Sequence, residues 1–418
     1  CGSTSLRISE SEEERAAFWA GRKAAFPAIG RISPDYMCMD GTIPRNRLAE
    51  VLKRMSELSA HHGLRVANVF HAGDGNLHPL ILFDANAGEL ETAEEFGADI
   101  LRLWVATSDY TADLRIGPDI LKAQADSYRR LRNTLRFMLG SLSDFSETDR
   151  IDANEMPELE KWVLHRLCEL DKTVRAGYAA HDFQGVFQAV FTFATVDLSA
   201  FYFDIRKDVL YCDGIDSVRR RSARTVLDEV FRCMTAWLSP ILSFSMEEVW
   251  LNRYPEETGS VHLTLFPEVP GNWRDDALAA KWKTIRDVRR VITGALEIER
   301  REKRIGSSLQ ALPEVFVTAD QQAALDGVDL AEIAITSGVK LTTGEGPAEA
   351  FRLEDVAGVS VVPDTATGEK CQRCWMILPE VGSGEDRAHE DLCHRCEDVV
   401  SRDAGAAPLA VNDETGAA

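Results

Sequence analysis

The sequence predicts a multidomain protein: an α+β N-terminal part, a central all-α part, a small α/β appendage and a C-terminal cysteine module. Strand and helix patterns alternate over the first hundred residues, helical periodicity then continues to about residue 305, and four of the nine cysteines gather near the C-terminus. With 418 residues, 45% of them hydrophobic, the chain can form several cores. The expected divisions are 1–96, 97–305, 306–366 and 367–401, with a disordered tail at 402–418.

The N-terminal part alternates between the two kinds of secondary structure. Residues 5–9 and 34–43 favour strands, whereas 9–26 begin with the serine and acidic residues typical of a helix N-terminus. Residues 44–63 have the apolar spacing of a second helix that ends at a glycine. Residues 64–83 then give a strand, a glycine-rich turn and a strand, which indicates an antiparallel sheet.

A junction at residues 94–105 (EEFGADILRLWV) joins the first two parts. Phe96, Ile100, Leu103 and Trp104 recur at helical spacing, so an amphipathic helix with one buried stripe is expected. Helical periodicity follows in a series of long segments, which predicts a helical bundle; these segments are 119–142, 156–205 and 217–250. In the appendage, strands are predicted at 314–319 and 359–363 around a helix at 320–327.

The cysteine module contains two C-x-x-C pairs separated by eighteen residues, namely Cys371, Cys374, Cys393 and Cys396. Two such pairs supply four thiolates, the usual ligand set of a structural zinc ion, and leave no open position for catalysis. The alternative is two disulfides or four unrelated thiols. His389 and His394 are expected to flank this zinc ribbon, and the other five cysteines, Cys212 among them, to be ordinary thiols.

The charge of the chain argues against a broad nucleic-acid surface. It carries 47 basic and 68 acidic residues, a formal charge of −21. Residues 1–99 contain 10 basic and 15 acidic residues, so neither this part nor the remainder is basic overall. Any such surface must be a confined stripe. One candidate is the helical segment 281–306, with nine basic and four acidic residues. Four of its basic residues are expected to face solvent or a partner: Lys283, Arg286, Arg289 and Arg290. A second is 219–224 (RRRSAR); a solvated helix face is the alternative for both.

We expect a cytoplasmic protein without a membrane segment. No run approaches about eighteen consecutive apolar residues, and the start lacks the charged and apolar regions of a signal peptide. The chain begins with Cys1 and no initiator methionine, so we expect residues to precede it. A lipidated N-terminal cysteine is the alternative, which the paired thiols disfavour because they suit a reducing compartment.

Residues 97–418 resemble the C-terminal portion of bacterial isoleucyl-tRNA synthetases. The resemblance is carried in family order by 97–117, 128–145, 198–213 and 300–311, together with the two cysteine pairs. It implies an anticodon-binding helical bundle, a zinc ribbon that supports tRNA docking, an isoleucine-accepting tRNA as partner and a monomer. The four paired cysteines match the zinc ligands. Residues in the matching bundle and basic motifs are candidates for RNA contact: Arg132, Asn133, Arg289, Arg290, Lys303, Arg304 and Ser307.

The same resemblance implies that catalysis is missing. Enzymes of this family form an adenylate with an H-I-G-H element and a K-M-S-K-S loop, and neither motif occurs in the sequence. Residues 61–64 (HHGL) mimic the first motif but lack its second histidine. We therefore assign no catalytic residue and expect no ligase activity from this chain alone.

Residues 1–99 are similar to the C-terminal cap of FAD-linked oxidases of the glycolate oxidase and D-lactate dehydrogenase type, through 18–45 and 66–86. By that resemblance, His71 and His78 match a metal-holding pair and Arg22 an arginine for a substrate carboxylate. Two histidines seldom hold a metal tightly, and the family's later acidic element is absent. The FAD domain is also missing, so no FAD is expected to bind.

Three hypotheses follow. The chain is a zinc-containing tRNA-binding part of an isoleucine–tRNA ligase, or an oxidoreductase fragment of the FAD-linked type, or a chimera whose parts have no joint activity. The first is favoured for the longer segment and the third for the whole, with the join inside 94–105, since either parent family can supply a helix there.

Overall fold

The computed structural model describes most of the chain in two compact units, Cys1–Leu101 and Arg102–Ala418. The described residues are 11–15, 29, 32–33, 35–38, 41–42, 48–71, 76–83, 98–109, 118–255, 259–383 and 387–405. The division falls five residues later than the sequence placed it. The strand predicted at 5–9 lies outside the described residues, as do 406–418 of the predicted tail.

The first unit contains an antiparallel sheet built around its longest strand. Strands β1 (Asp35–Cys38) and β2 (Gly41–Thr42) pair with one edge of β4 (Asn76–Phe83), and β3 (Arg65–His71) pairs with the other edge. The antiparallel prediction is thus confirmed. Leu80 and Leu82 are buried together with Ile29, as expected where alternate side chains of a strand face a small core.

Helix α1 spans Leu48–His62, within the predicted range 44–63. It ends at Gly63, whose φ of 69° is in the left-handed region that glycine adopts without steric cost. Helix α2, Ala98–Thr107, contains the division between the two units, and Leu103 from its predicted stripe is fully buried.

The second unit is predominantly helical, as predicted. Its long helices share one continuous hydrophobic core. In chain order they are α3 (Pro118–Ser141), α4 (Glu158–Ala180), α5 (Phe183–Thr192), α6 (Asp204–Cys212), α7 (Val218–Leu238), α8 (Ser243–Arg253) and α9 (Asp276–Arg301).

Helices α5 and α6 are the two ends of one continuous helix, Phe183–Cys212, whose middle, Phe193–Phe203, has π-helical hydrogen bonding. By length and composition this helix could cross a membrane. However, 56% of its most apolar window is buried inside the protein, and a core helix meets the same criteria. The observation is therefore weak evidence for a membrane segment.

Helix α9 is held to the bundle by an aromatic cluster. The ring of Trp282 lies 6.1 Å from that of Trp162 and 6.3 Å from that of Phe201. The guanidinium of Arg286 lies over both bundle rings, at 5.0 and 4.9 Å, and donates to the buried Asp197 carboxylate at 2.8 Å. Cation–π attraction and a charged hydrogen bond thus reinforce the apolar contact.

A buried ion network connects the bundle to the appendage. Arg206 on α6 donates two hydrogen bonds to the Glu160 carboxylate on α4, at 2.6 and 2.8 Å, and a third to Glu332 at 2.8 Å. The Tyr202 hydroxyl also donates to Glu160, at 3.0 Å. Glu160 is fully buried and Arg206 is 4% exposed, so each charge depends on its partner for solvation.

The appendage contains a three-stranded sheet and two short helices. Strand β5 (Glu314–Val317) lies between the parallel β6 (Lys340–Thr343) and the antiparallel β7 (Ser360–Val362), with helices α10 (Ala319–Leu325) and α11 (Leu330–Ala334) following β5 in the chain. The sequence predicted β5, α10 and β7 but missed α11 and β6. Strand β6 was missed because it is an edge strand that is mostly exposed, so its residues do not alternate between apolar and polar.

The cysteine module contains the hairpin β8 (Glu369–Lys370) and β9 (Ile377–Leu378), followed by helix α12 (His394–Gly405). Helix α12 continues four residues past position 401, so the prediction of disorder from residue 402 is wrong for 402–405. These residues complete the last helical turn.

Replacing Arg206 with Met tests the buried network. We expect the free energy of unfolding of the helical unit to fall by about 3–5 kcal/mol, because Glu160 would remain buried without its countercharge. Urea denaturation followed by far-UV circular dichroism measures this. The double variant Arg206→Met/Glu160→Met should recover most of the loss.

A matched control is Arg129→Met, since Arg129 pairs with Asp126 while both side chains are more than half exposed. That variant should change stability by less than about 0.5 kcal/mol. A loss below about 1 kcal/mol for Arg206→Met would show that water solvates the Glu160 carboxylate.

Candidate metal centre and nucleic-acid interface

The four paired cysteines converge in the folded ribbon. Cys371 and Cys374 lie in the turn between β8 and β9, Cys393 directly precedes α12, and Cys396 lies in the first turn of that helix. All four side chains are buried, and their sulfur atoms lie within 4.8 Å of one another. The structure therefore brings together two cysteine pairs that are separated by eighteen residues in the sequence.

The sulfur geometry fits a tetrahedral zinc ion. The Sγ atoms of Cys374 and Cys393 are 3.7 Å apart. Zn–S bonds of about 2.3 Å give a tetrahedron whose edge is about 3.8 Å. A disulfide would need a separation of roughly 2.05 Å, so the alternative of a disulfide between this pair is wrong. The four sulfurs fill a tetrahedral shell, so the site suits a structural ion.

The backbone favours thiolates in the two C-x-x-C turns, called the first knuckle (371–374) and the second knuckle (393–396) below. The amide of Cys393 donates to the Cys371 sulfur at 3.3 Å, which stabilises negative charge on that atom. The hydrogen bond between the sulfurs of Cys374 and Cys393 lowers the pKa of Cys393 below the usual value for a thiol. Gly368 has a φ of 123°, and an added Cβ would lie 2.4 Å from the Leu378 carbonyl, so the hairpin requires glycine there.

The loop between the knuckles is fastened by Arg387. Its guanidinium donates to the carbonyl of Leu392 at 2.7 Å and pairs with Glu397 at 2.6 Å. That hydrogen bond lowers the pKa of Glu397. In the described part of the chain His389 and His394 are not members of the ligand cluster, so they flank the site as predicted.

Cys212 is more than an ordinary thiol. Sequence reasoning left it as one of five isolated cysteines, but its side chain is 5% exposed and packs in the same small core as the four ligands. No spacing pattern indicates this position, because Cys212 ends α6 and lies 159 positions before Cys371. Only the folded chain places the two together.

The basic helix α9 is less available to a partner than the sequence suggested. Its apolar stripe, Ile285, Val288, Ile292 and Ala295, is buried as expected. Lys283 and Arg290 are exposed as predicted. The prediction that Arg286 and Arg289 face solvent or a partner is wrong.

Both side chains are engaged inside the second unit. Arg286 lies on the aromatic cluster. Arg289 is 16% exposed, donates to the Ile333 carbonyl at 2.8 Å and lies over the Phe201 ring at 5.3 Å. Burial accordingly lowers the pKa of Arg289.

The second basic cluster, 219–224, is engaged within the protein. Arg219 pairs with Glu332, and Arg220 donates to the Asp213 carbonyl. Arg221 donates to the carbonyls of Thr148 and Asp149, and Arg224 to that of Ser141. Arg219 thus pairs with a carboxylate, and the other three arginines donate to backbone carbonyls of neighbouring segments, so all four have partners within the protein.

The remaining RNA candidates differ in availability. Asn133 and Ser307 are exposed and Arg132 is partly exposed on α3. Lys303 is exposed, with a φ of 60° just after α9, and has no acidic partner among the described residues.

Two candidates are held by carboxylates. Arg290 pairs with Asp355 at 2.7 Å, and Arg304 is hydrogen-bonded to Glu299 and Glu302, which raises the pKa of Arg304. Among the candidates that the resemblance implies, Lys303 and Arg132 are therefore the two cations without an acidic partner in the described part of the chain.

Sequence reasoning missed an exposed tryptophan beside the metal centre. Trp375 follows Cys374, is 59% exposed and adopts a φ of 68°. The ammonium of Lys370 lies 5.2 Å from the centre of its ring. An aromatic directly after a C-x-x-C pair was the available signal. A rigid ring with a cation beside it is suited to stacking on an unpaired base.

The oxidase-like residues are only partly described. Arg22 lies outside the described residues. His71 ends β3 opposite Asn76, and His78 lies in β4 opposite Val69, so the two strands predicted to carry the pair are present. The glycine-rich turn predicted between them, 72–75, lies outside the described residues.

Replacing Cys374 with Ser tests the metal centre. Purified protein should contain one zinc ion per chain, and the variant much less, because a hydroxyl is a poor substitute for a thiolate. Elemental analysis measures this. Cys168→Ala is the control: Cys168 is also buried but donates to the Pro270 carbonyl far from the ribbon, so its zinc content should stay at one. Equal zinc in both variants would contradict the assigned ligand.

Models of known protein families match the helical bundle and the zinc ribbon described above. The anticodon-binding domain of tRNA ligase matches residues 160–316, and the zinc finger found in FPG and IleRS matches 368–399. The C-terminal domain of FAD linked oxidases matches residues 1–108, which includes all of α2.

Curated relatives are isoleucine–tRNA ligases. Identity is 62% over 309 residues with that of Ruegeria pomeroyi and 52% over 317 residues with that of Agrobacterium fabrum. These alignments cover 73% and 76% of this chain but only 31% and 32% of the relatives, so the chain spans about a third of their length. The chain thus joins residues similar to the C-terminal domain of FAD-linked oxidases to a longer part similar to the C-terminal portion of isoleucine–tRNA ligases.

Proposed function

We propose that residues 102–418 bind an isoleucine-accepting tRNA through the helical bundle and the zinc ribbon, as a cytoplasmic monomer without aminoacylation activity of its own. The observation that carries this proposal is the 62% identity to an isoleucine–tRNA ligase over a region that includes an anticodon-binding domain and four convergent thiols. One zinc ion, held by Cys371, Cys374, Cys393 and Cys396, stabilises the ribbon when bound.

The RNA surface is narrow. The overall charge of −21 repels a polyanion, so attraction must come from local cations. Lys303 and Arg132 lack acidic partners among the described residues, and Lys370 lies beside the exposed Trp375. Arg289 takes no part in this surface, because its guanidinium is engaged with Ile333 and Phe201. Stacking on Trp375 supplies affinity that does not depend on net charge.

The first unit adds no chemistry in this proposal. Residues 1–108 match only the C-terminal domain of FAD linked oxidases. The oxidase alternative requires a bound flavin and turnover of a 2-hydroxyacid. Purified protein with the visible absorbance of a flavin would favour that alternative over a chimera without joint activity.

Replacing Trp375 with Ala should weaken tRNA binding and raise the Kd about tenfold, since a stacked base contributes roughly 1–3 kcal/mol. Fluorescence anisotropy with labelled tRNA at fixed salt measures this. Phe244→Ala is the matched control, because Phe244 is 68% exposed on α8, and its loss should leave the Kd unchanged. Equal effects from both variants would show that Trp375 is not a stacking platform.

The chain should also fail to activate isoleucine. Isotope exchange between pyrophosphate and ATP, with isoleucine present, should stay at the level of a blank while the same preparation binds tRNA. We expect this because the two phosphate-stabilising motifs of the family are absent from the sequence. Isoleucine-dependent exchange above the blank would overturn the assignment of a purely binding role.

A further inference from the structure

Two arginines lie inside the zinc knuckles, Arg373 between the first pair of cysteines and Arg395 between the second. In a ribbon that meets RNA, such cations would ordinarily be assigned to phosphate contacts. Their geometry points elsewhere, because both side chains turn toward α6 of the helical bundle.

Arg395 forms a bidentate ion pair with a carboxylate on α6. Its Nη1 and Nη2 atoms lie 2.6 and 2.9 Å from the two oxygens of Asp208, and Nη1 is also 3.4 Å from Asp213. Asp208 and Arg395 are each about one third exposed, and Asp213 is 9% exposed. The fork-shaped guanidinium matches a carboxylate in this geometry, so the pair fixes direction as well as distance.

Arg373 caps the end of the same helix. Its guanidinium donates to the carbonyls of Cys212 and Tyr211, the last two residues of α6. A cation at this position complements the partial negative charge of a helix C-terminus. The Cys212 thiol contacts the Arg373 carbonyl at 3.8 Å and packs among the zinc ligands, so the contact runs in both directions.

We infer that Arg373 and Arg395 are positioning residues that lock the zinc ribbon onto α6, and that neither contacts RNA. In this lock, the acceptor of Arg395 is the Asp208 carboxylate. The acceptors of Arg373 are the carbonyls of Tyr211 and Cys212. The lock fixes the direction in which Trp375 and Lys370 face, since Lys370 directly precedes the first cysteine pair and Trp375 directly follows it. Its effect on RNA affinity rests on the proposed function, whereas its effect on the ribbon does not.

The decisive variant is Asp208→Asn, which breaks the lock without removing a cation from the ribbon. If the inference holds, the Kd for tRNA rises about threefold to tenfold, and the dependence of log Kd on log salt keeps its slope. If Arg395 instead contacts phosphate, freeing it from Asp208 leaves affinity unchanged or improves it. Arg395→Gln then lowers the salt slope by about one.

A charge exchange and a control complete the test. The double variant Asp208→Arg/Arg395→Asp should restore most of the affinity, which a lost phosphate contact could not do. Arg402→Gln removes the same charge from α12, where Arg402 is 55% exposed and pairs mainly with Asp398, and should leave the Kd unchanged. A charge exchange that fails to restore affinity while Arg402→Gln is neutral would overturn the inference.

Two readouts do not involve RNA. In Asp208→Asn, amide hydrogen exchange in α12 should accelerate, and zinc transfer to a colorimetric chelator should be at least about threefold faster, because a docked ribbon opens less often. If wild-type protein binds no tRNA, the proposed function fails, while these two measurements still decide whether the lock exists. Unchanged exchange and unchanged zinc transfer would refute it.

Discussion

The ion pair between Glu160 and Arg206 lies where three parts of the second unit meet. Arg206 belongs to α6, its acceptor Glu160 to the bundle helix α4, and its second acceptor, Glu332, to the appendage. A buried charge of this kind is tolerated only when its partners surround it, so the three elements must assemble together. The network therefore fixes the placement of α6, on which the rest of the unit depends.

Helix α6 is the nine-residue end of the continuous helix Phe183–Cys212. It contacts α4, α9, the appendage and the zinc ribbon through different side chains. Asp204 pairs with Arg289 of α9 at 3.5 Å, Arg206 with the buried carboxylates, Asp208 with the ribbon, and Cys212 with the core of the metal centre. Its acidic residues thereby engage basic residues that a count of charges would have offered to RNA. Arg289 and Arg395 are two such residues.

The zinc ribbon and the bundle stabilise each other by different means. The ribbon has almost no apolar core apart from its cysteines and a few neighbours, so the metal supplies most of the constraint that holds its two knuckles together. Its direction, in contrast, depends on polar contacts with α6. Metal loss would thus loosen the ribbon internally, whereas loss of the Asp208 contact would leave the knuckles intact but free to turn.

The sequence by itself determined the features that depend on spacing. Two C-x-x-C pairs specified four convergent thiols, the stripe Ile285, Val288, Ile292 and Ala295 specified the buried face of α9, and Gly63 specified the end of α1. Tertiary structure decided the features that depend on partners distant in the chain. Arg289 and the cluster 219–224 are engaged with carbonyls and carboxylates, and Cys212 packs in the small core around the metal centre. Periodicity shows which side of a helix is apolar, but it cannot show which distant group a long polar side chain will reach.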